Sequence, residues 1–265
     1  MSIRLKETPQ ERQRAARESA AAVLLVGNNR FVLVLACLAS GLMSFVSYFT
    51  AWAISLALAE ITGTQSLGLW LASQFLTLVF FVLFAMPLWL GTYRMAMCLV
   101  DGQGVGTEDL FYYIGGKRLY TRALGVSLRL LWCWLPAIVG FLVMRLFFDF
   151  DFIGFLLVCM FAITLVLSML FVSGLGGFVT LALADESLSL DRARWQATSF
   201  MAHERMCVLR FGLGTAWRVL LSLIPVGVPL LLHTLPESML SAACYSRRMA
   251  ARANDEFENF SIKEF

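Results

Sequence analysis

Charge is what this chain has least of, and where it is missing is the first constraint. Phe31 to Ala59 has no charged residue in 29 positions, and Ile61 to Tyr93 and Phe152 to Ala184 have none in 33 each. Only 15% of the 265 residues are charged and 59% are hydrophobic, more apolar surface than a soluble domain of this size can bury. A soluble globular fold is excluded, since each run exceeds the roughly 20 residues that cross a bilayer. Cysteine clustering is also missing. Cys37, Cys98, Cys133, Cys159, Cys207 and Cys244 stand singly, with no CxxC pair, so neither a disulfide framework nor a zinc knuckle is expected. No basic stacking surface is present, and net charge is only +3, which excludes nucleic acid as a partner. A GxSxG elbow, an HExxH pair and an intramembrane aspartate dyad are all lacking, so no enzyme is expected.

The charge that is present is ordered. Nineteen of the 21 lysines and arginines fall in four segments that alternate with the apolar runs, which by the positive-inside tendency face the cytoplasm. The expected fold is all-α: a polytopic membrane protein with six transmembrane helices, amphipathic cytoplasmic surface helices and a parallel internal repeat. Residues 1–30 form a cytoplasmic segment, with Pro9 starting a surface helix that contains Arg12, Ala15, Ala16 and Ala20. It is read as a retained anchor region, because the first apolar run is far longer than a cleavable h-region.

Residues 31–248 form the membrane domain, with spans about 31–58, 67–93, 123–144, 152–183, 206–224 and 229–246. Span 3 is short, but Arg129 and Arg145 lie roughly 24 Å apart along a helix at ~1.5 Å per residue, so opposite snorkelling completes the crossing. A kink is expected at Pro136. Residues 249–265 form an acidic cytoplasmic tail, in which Asp255 to Phe265, with aromatics among its charges, is read as disordered.

Two surface helices are expected on the inner face. Thr107 suits an N-cap followed by Glu108 and Asp109. Ser189 suits a second, where Leu190, Ala193, Ala197, Phe200 and Met201 recur at helical spacing opposite Asp191, Arg194, Thr198 and Arg205, a pattern for a helix lying on the membrane with Trp195 as an interfacial anchor. Spans 5 and 6 are read as a hairpin turning at Pro225 to Pro229, which returns Arg247, Arg248 and Arg252 to the cytoplasm. The repeat rests on Gly91, Thr92, Tyr93, Asp101, Thr107, Asp109 and Pro136 being echoed by Gly176, Gly177, Phe178, Asp185, Ser189, Asp191 and Pro225, at offsets of 82 to 89 residues.

Several landmarks together resemble an uncharacterised bacterial family of integral membrane proteins, the one catalogued as domain of unknown function nine-seven-five. They are Arg14, Ala15 and Ala16 before span 1, Asp109, Leu110 and Phe111, the run Leu131 to Pro136, Ser199, Phe200 and Met201, Trp217, and Pro236 with Cys244 and Tyr245. Departures from the family pattern fall at Ala137, at Ala202, His203 and Glu204, and at Glu237. The resemblance implies a six-span bacterial inner-membrane protein and supplies no activity.

Few residues carry candidate chemistry. His203 and Cys207 stand at i and i+4 with no third ligand, so no metal or cofactor is expected. Serines 40, 44, 47 and 55 and glycines 174, 176 and 177 suit close helix packing. Arg218 and Glu237 lie at matching distances from the hairpin turn, and each is costly alone in hydrocarbon, so they are the candidate intramembrane ion pair. The functional expectation is a non-enzymatic inner-membrane protein acting by interaction or scaffolding, partnered by membrane lipids and by other membrane proteins or itself. The alternative is a small transporter or permease for a lipophilic or small solute, with a path between two helical-hairpin repeats.

Overall fold

A long uncharged apolar run pairs its backbone polar groups within itself only as a helix, and the described runs of this chain are helical. The computed structural model describes residues 9–63, 67–146, 175–184, 188–201, 210, 214 and 233–261, and no strand occurs among them. The helices are α1 (Pro9–Leu25), α2 (Asn29–Thr62), α3 (Leu67–Phe80), α4 (Met86–Val100), α5 (Lys117–Leu146), α6 (Leu175–Ala184), α7 (Leu190–Met201) and α8 (Leu235–Ser261). A π-helical turn, Phe81–Ala85, joins α3 to α4, and a 3-10 turn, Thr107–Phe111, precedes α5.

Two stretches, Asn29–Ile61 and Ala72–Val100, are long and apolar enough to cross a membrane. They form an antiparallel pair: Thr92 meets Ser40 and the Ala36 carbonyl, and one turn further on Trp89 meets Ser44. Gly63 ends α2 in the left-handed region at φ 64°, a conformation without penalty only for glycine. Glycine has a second use at Gly91. There the backbone of the 3-10 turn lies so close that a Cβ would sit 3.1 Å from the Leu110 carbonyl carbon. Close approach of that turn to α4 is therefore built on a missing side chain.

The π-helical turn has an identifiable cause. Pro87 carries no N–H, so the Leu83 carbonyl has no donor at i+4. The i+5 pattern takes over, with the Met86 N–H bonded to the Phe81 carbonyl. The Tyr120 hydroxyl, from α5, donates to Leu83 O at 2.8 Å.

The two ends of the chain pack together. α1 lies against α8, with Ala16 and Ala20 fully buried, Arg12 only 5% exposed, and the Arg248 guanidinium donating to Ser19 Oγ at 3.1 Å. α8 runs antiparallel to α2, since Met239 meets Cys37 while Arg247 reaches Asp101 just beyond α4. The core is one cluster in which Leu33, Ala36, Met95, Leu99, Phe178, Leu240 and Tyr245 meet.

The observed helices differ from the sequence reading in definite ways. α4 continues to Val100, beyond the expected end of span 2 at 93, and α5 begins at Lys117, before the expected start of span 3 at 123. The N-cap of the 3-10 turn is Gly106, whose N–H donates to Asp109 Oδ2 at 2.9 Å, and Thr107 is its first helical residue. α8 remains helical to Ser261, where a disordered tail from Asp255 was expected. α1 starts at Pro9 as expected, but as a packed helix: spacing of four between Arg12, Ala16 and Ala20 gives it one buried stripe. Most of spans 4 and 5, and the turn from Pro225 to Pro229, lie outside the described residues.

Candidate functional site

Polar side chains of the bundle concentrate in two places, a hydroxyl seam between the apolar helices and a set of arginines at their charged ends. In the seam, Ser40 and Thr92 are fully buried with oxygens 2.9 Å apart. The single Thr92 proton has the Leu88 carbonyl at 3.0 Å and the Ala36 carbonyl at 3.4 Å as backbone acceptors, and either hydroxyl can donate in the Ser40–Thr92 bond. Trp89 Nε1 donates to Ser44 Oγ at 3.0 Å, and Ser44 donates in turn to the Ser40 carbonyl at 2.9 Å. Tyr93 extends the seam to α6, its hydroxyl 2.9 Å from Thr180 Oγ1.

Each of these groups would be costly if buried unpaired. Paired, they fix the register of α2, α4 and α6. Among the described residues, the partners of the Ser40, Ser44 and Thr92 hydroxyls are hydroxyls, the Trp89 indole and backbone carbonyls.

At the charged ends, arginines stitch one element to the next. The Arg94 guanidinium lies 3.5 Å above the Tyr112 ring and 4.0 Å from Asp109, holding the 3-10 turn against α4. Arg122 donates through Nε and Nη2 to the Ala182 carbonyl at 3.0 and 2.8 Å, capping the last turn of α6, where carbonyls lack helix donors. Arg247 pairs with Asp101 and so ties α8 to the end of α4. Arg129 Nη2 lies 2.7 Å from Asp191 Oδ1 and ties α5 to α7. With Asp191 85% exposed, that pair orients more than it stabilises, at well under ~1 kcal/mol.

Of the residues singled out in the sequence, Arg129 joins two helices through Asp191. Arg145 lies on the helical backbone of α5 one residue before its end. Trp195 is 69% exposed on α7. Ser189 caps that helix as expected, its Oγ accepting from the Arg192 N–H at 3.4 Å. Of the expected apolar stripe of α7, Ala193 and Ala197 are buried in the core with α6, where a lipid surface was expected to cover them; the side chains of Phe200 and Met201 lie outside the described residues.

Glu237, in the first turn of α8, has Oε2 3.3 Å from His233 Nδ1. Arg218, His203 and Cys207 lie outside the described residues. Among the described residues no three His, Cys, Asp or Glu side chains converge as metal ligands.

Sequence reasoning missed the partners of Arg122 and Arg247. An arginine whose acceptor is a backbone carbonyl on another helix leaves no trace in spacing, and Asp101 with Arg247 are separated by 146 positions. Comparison with protein-family models, curated proteins and solved structures found no match. The family resemblance therefore rests on the sequence landmarks themselves.

Proposed function

We propose that this is a multi-pass protein of the bacterial inner membrane, with six spans and both termini cytoplasmic, that acts without catalysis as an interaction or scaffolding protein. One observation carries the reading. α1, the Thr107–Phe111 turn and α7 are each docked onto the ends of the apolar helices by specific contacts, which makes the charged end a preformed surface. Such a surface loses little conformational entropy when a partner binds.

The bilayer location is supported by α2, whose most apolar window is only 33% buried inside the protein while Phe45, Phe49 and Trp52 face outward. A core helix of a soluble protein would bury that face. Packing of α1 on the Arg248 end of α8 supports an even number of crossings between Leu25 and Arg248. The domain reading becomes a terminal helix packed on the membrane domain at each end, with α8 crossing the expected boundary at 248.

Cross-linking in intact membranes tests the role: with photoreactive residues at exposed positions of α1 and α7, adducts to another protein or to a second copy are expected. Adducts confined within single chains would sink it. The second reading, a small transporter, draws on the hydroxyl seam, a polar line between otherwise apolar helices. Solute uptake that depends on this chain and is lost in Thr92→Val, with cross-links unchanged, would favour it.

A further inference from the structure

The outward face of α7 has a composition that packing does not explain. Ala193 and Ala197 are buried, and Trp195 lies about 200° around the helix from each at ~3.6 residues per turn, so it points away from the bundle. Arg192 and Arg194 beside it are exposed. The one acidic residue of α7, Asp191, is held by Arg129, which leaves the face basic. Across that bridge, Leu128 and Trp132 of α5 share one face at i and i+4, at 57% and 70% exposure. The Arg129–Asp191 bridge, one residue from Leu128 and one from Arg192, thus links a helix with an exposed apolar strip to one with a basic, tryptophan-bearing face.

We propose that this surface is a docking site for anionic phospholipid, with Arg192 and Arg194 on either side of the Trp195 indole meeting headgroup phosphates at headgroup depth, and an acyl chain along Leu128 and Trp132. Guanidinium groups match phosphate oxygens in charge and in fork geometry, and tryptophan favours the boundary where one end is apolar and the other wet. An acidic protein segment would satisfy the arginines but leave the apolar strip of α5 uncovered; a lipid supplies both parts. The inference rests on the membrane location proposed above and is independent of any scaffolding role.

Native mass spectrometry of the full chain, delipidated in detergent and titrated with phosphatidylglycerol or phosphatidylcholine, tests it. Wild type is expected to prefer phosphatidylglycerol. Arg192→Gln with Arg194→Gln should weaken phosphatidylglycerol about thirtyfold and phosphatidylcholine much less, because the choline ammonium already offsets its phosphate. Arg192→Lys with Arg194→Lys should retain most of the preference, and Trp195→Ala should weaken both lipids. All three side chains are exposed, so helix content by circular dichroism should not change.

Preference surviving the double glutamine change would overturn the proposal, as would an equal loss from Lys117→Gln with Arg118→Gln, which would make the effect one of bulk charge. Binding of a glutamate-rich peptide without phosphatidylglycerol preference would assign the face to protein and overturn it too. Recovery of the chain from cells in soluble form without detergent is a separate result, which would remove the membrane location itself.

Discussion

Gly91 shows how much a single position decides. The 3-10 turn sits on α4 because no Cβ intervenes, and the obstacle an added one would meet is the backbone at Leu110, which cannot rotate away. Gly91→Ala should therefore destabilise by about 2 kcal/mol, as overpacking does. Gly41→Ala, where nothing lies within 4 Å, should be neutral or slightly stabilising because alanine is the better helix former. Thermal unfolding of both variants in detergent checks the contrast; equal effects would mean that the turn does not depend on Gly91. A second residue-scale expectation concerns Arg218 and Glu237. If they pair within the membrane, Arg218→Ala and Glu237→Ala should each lower stability, and the double variant should lose no more than the worse single one. Additive losses would show that they do not interact.

Among elements, the π-helical turn before α4 is the one whose construction can be dissected. Pro87 removes the donor that Leu83 would use, and Tyr120 replaces it from α5. Tyr120→Phe is expected to cost about 1 kcal/mol, the usual net value of such a hydrogen bond. With Pro87→Ala already in place, the Leu83 carbonyl regains an in-helix donor, and the cost of Tyr120→Phe should fall towards zero. An undiminished cost would place the role of Tyr120 in packing. Apolar periodicity revealed the helices themselves, and Pro9 and Ser189 marked two of their starts. Which way α7 turns its apolar stripe was not legible, because alanines at 193 and 197 suit a lipid boundary and a helix interface equally well. Only the proximity of α6 decides between them.

For the whole molecule, the contact between α1 and α8 carries the strongest topological consequence. Arg248 of α8 meets Ser19 of α1, so the C-terminal part of α8 and α1 share one side of any membrane that the chain spans. In a variant whose six native cysteines are replaced, Ser2→Cys and Ser261→Cys should both resist a membrane-impermeant maleimide in intact cells and react after permeabilisation. Labelling of one terminus alone from outside would break the even-span topology. Labelling of both from outside would keep the parity and reverse the orientation.

Residues alone determined the helical class and the alternation of basic segments with apolar runs, because hydrocarbon forbids unpaired backbone and charge is too costly to place at random. They also marked Arg129 and Trp195 as positions of interest, since any charge or indole beside an apolar run stands out. Tertiary structure decided what these residues do. Arg129 meets Asp191, Arg122 caps α6, Arg247 reaches Asp101, and Trp195 faces away from the bundle. The reason is physical: the cost of burying a group is set by its own chemistry and can be read locally, whereas the partner that offsets the cost is supplied by whichever helix the fold brings alongside.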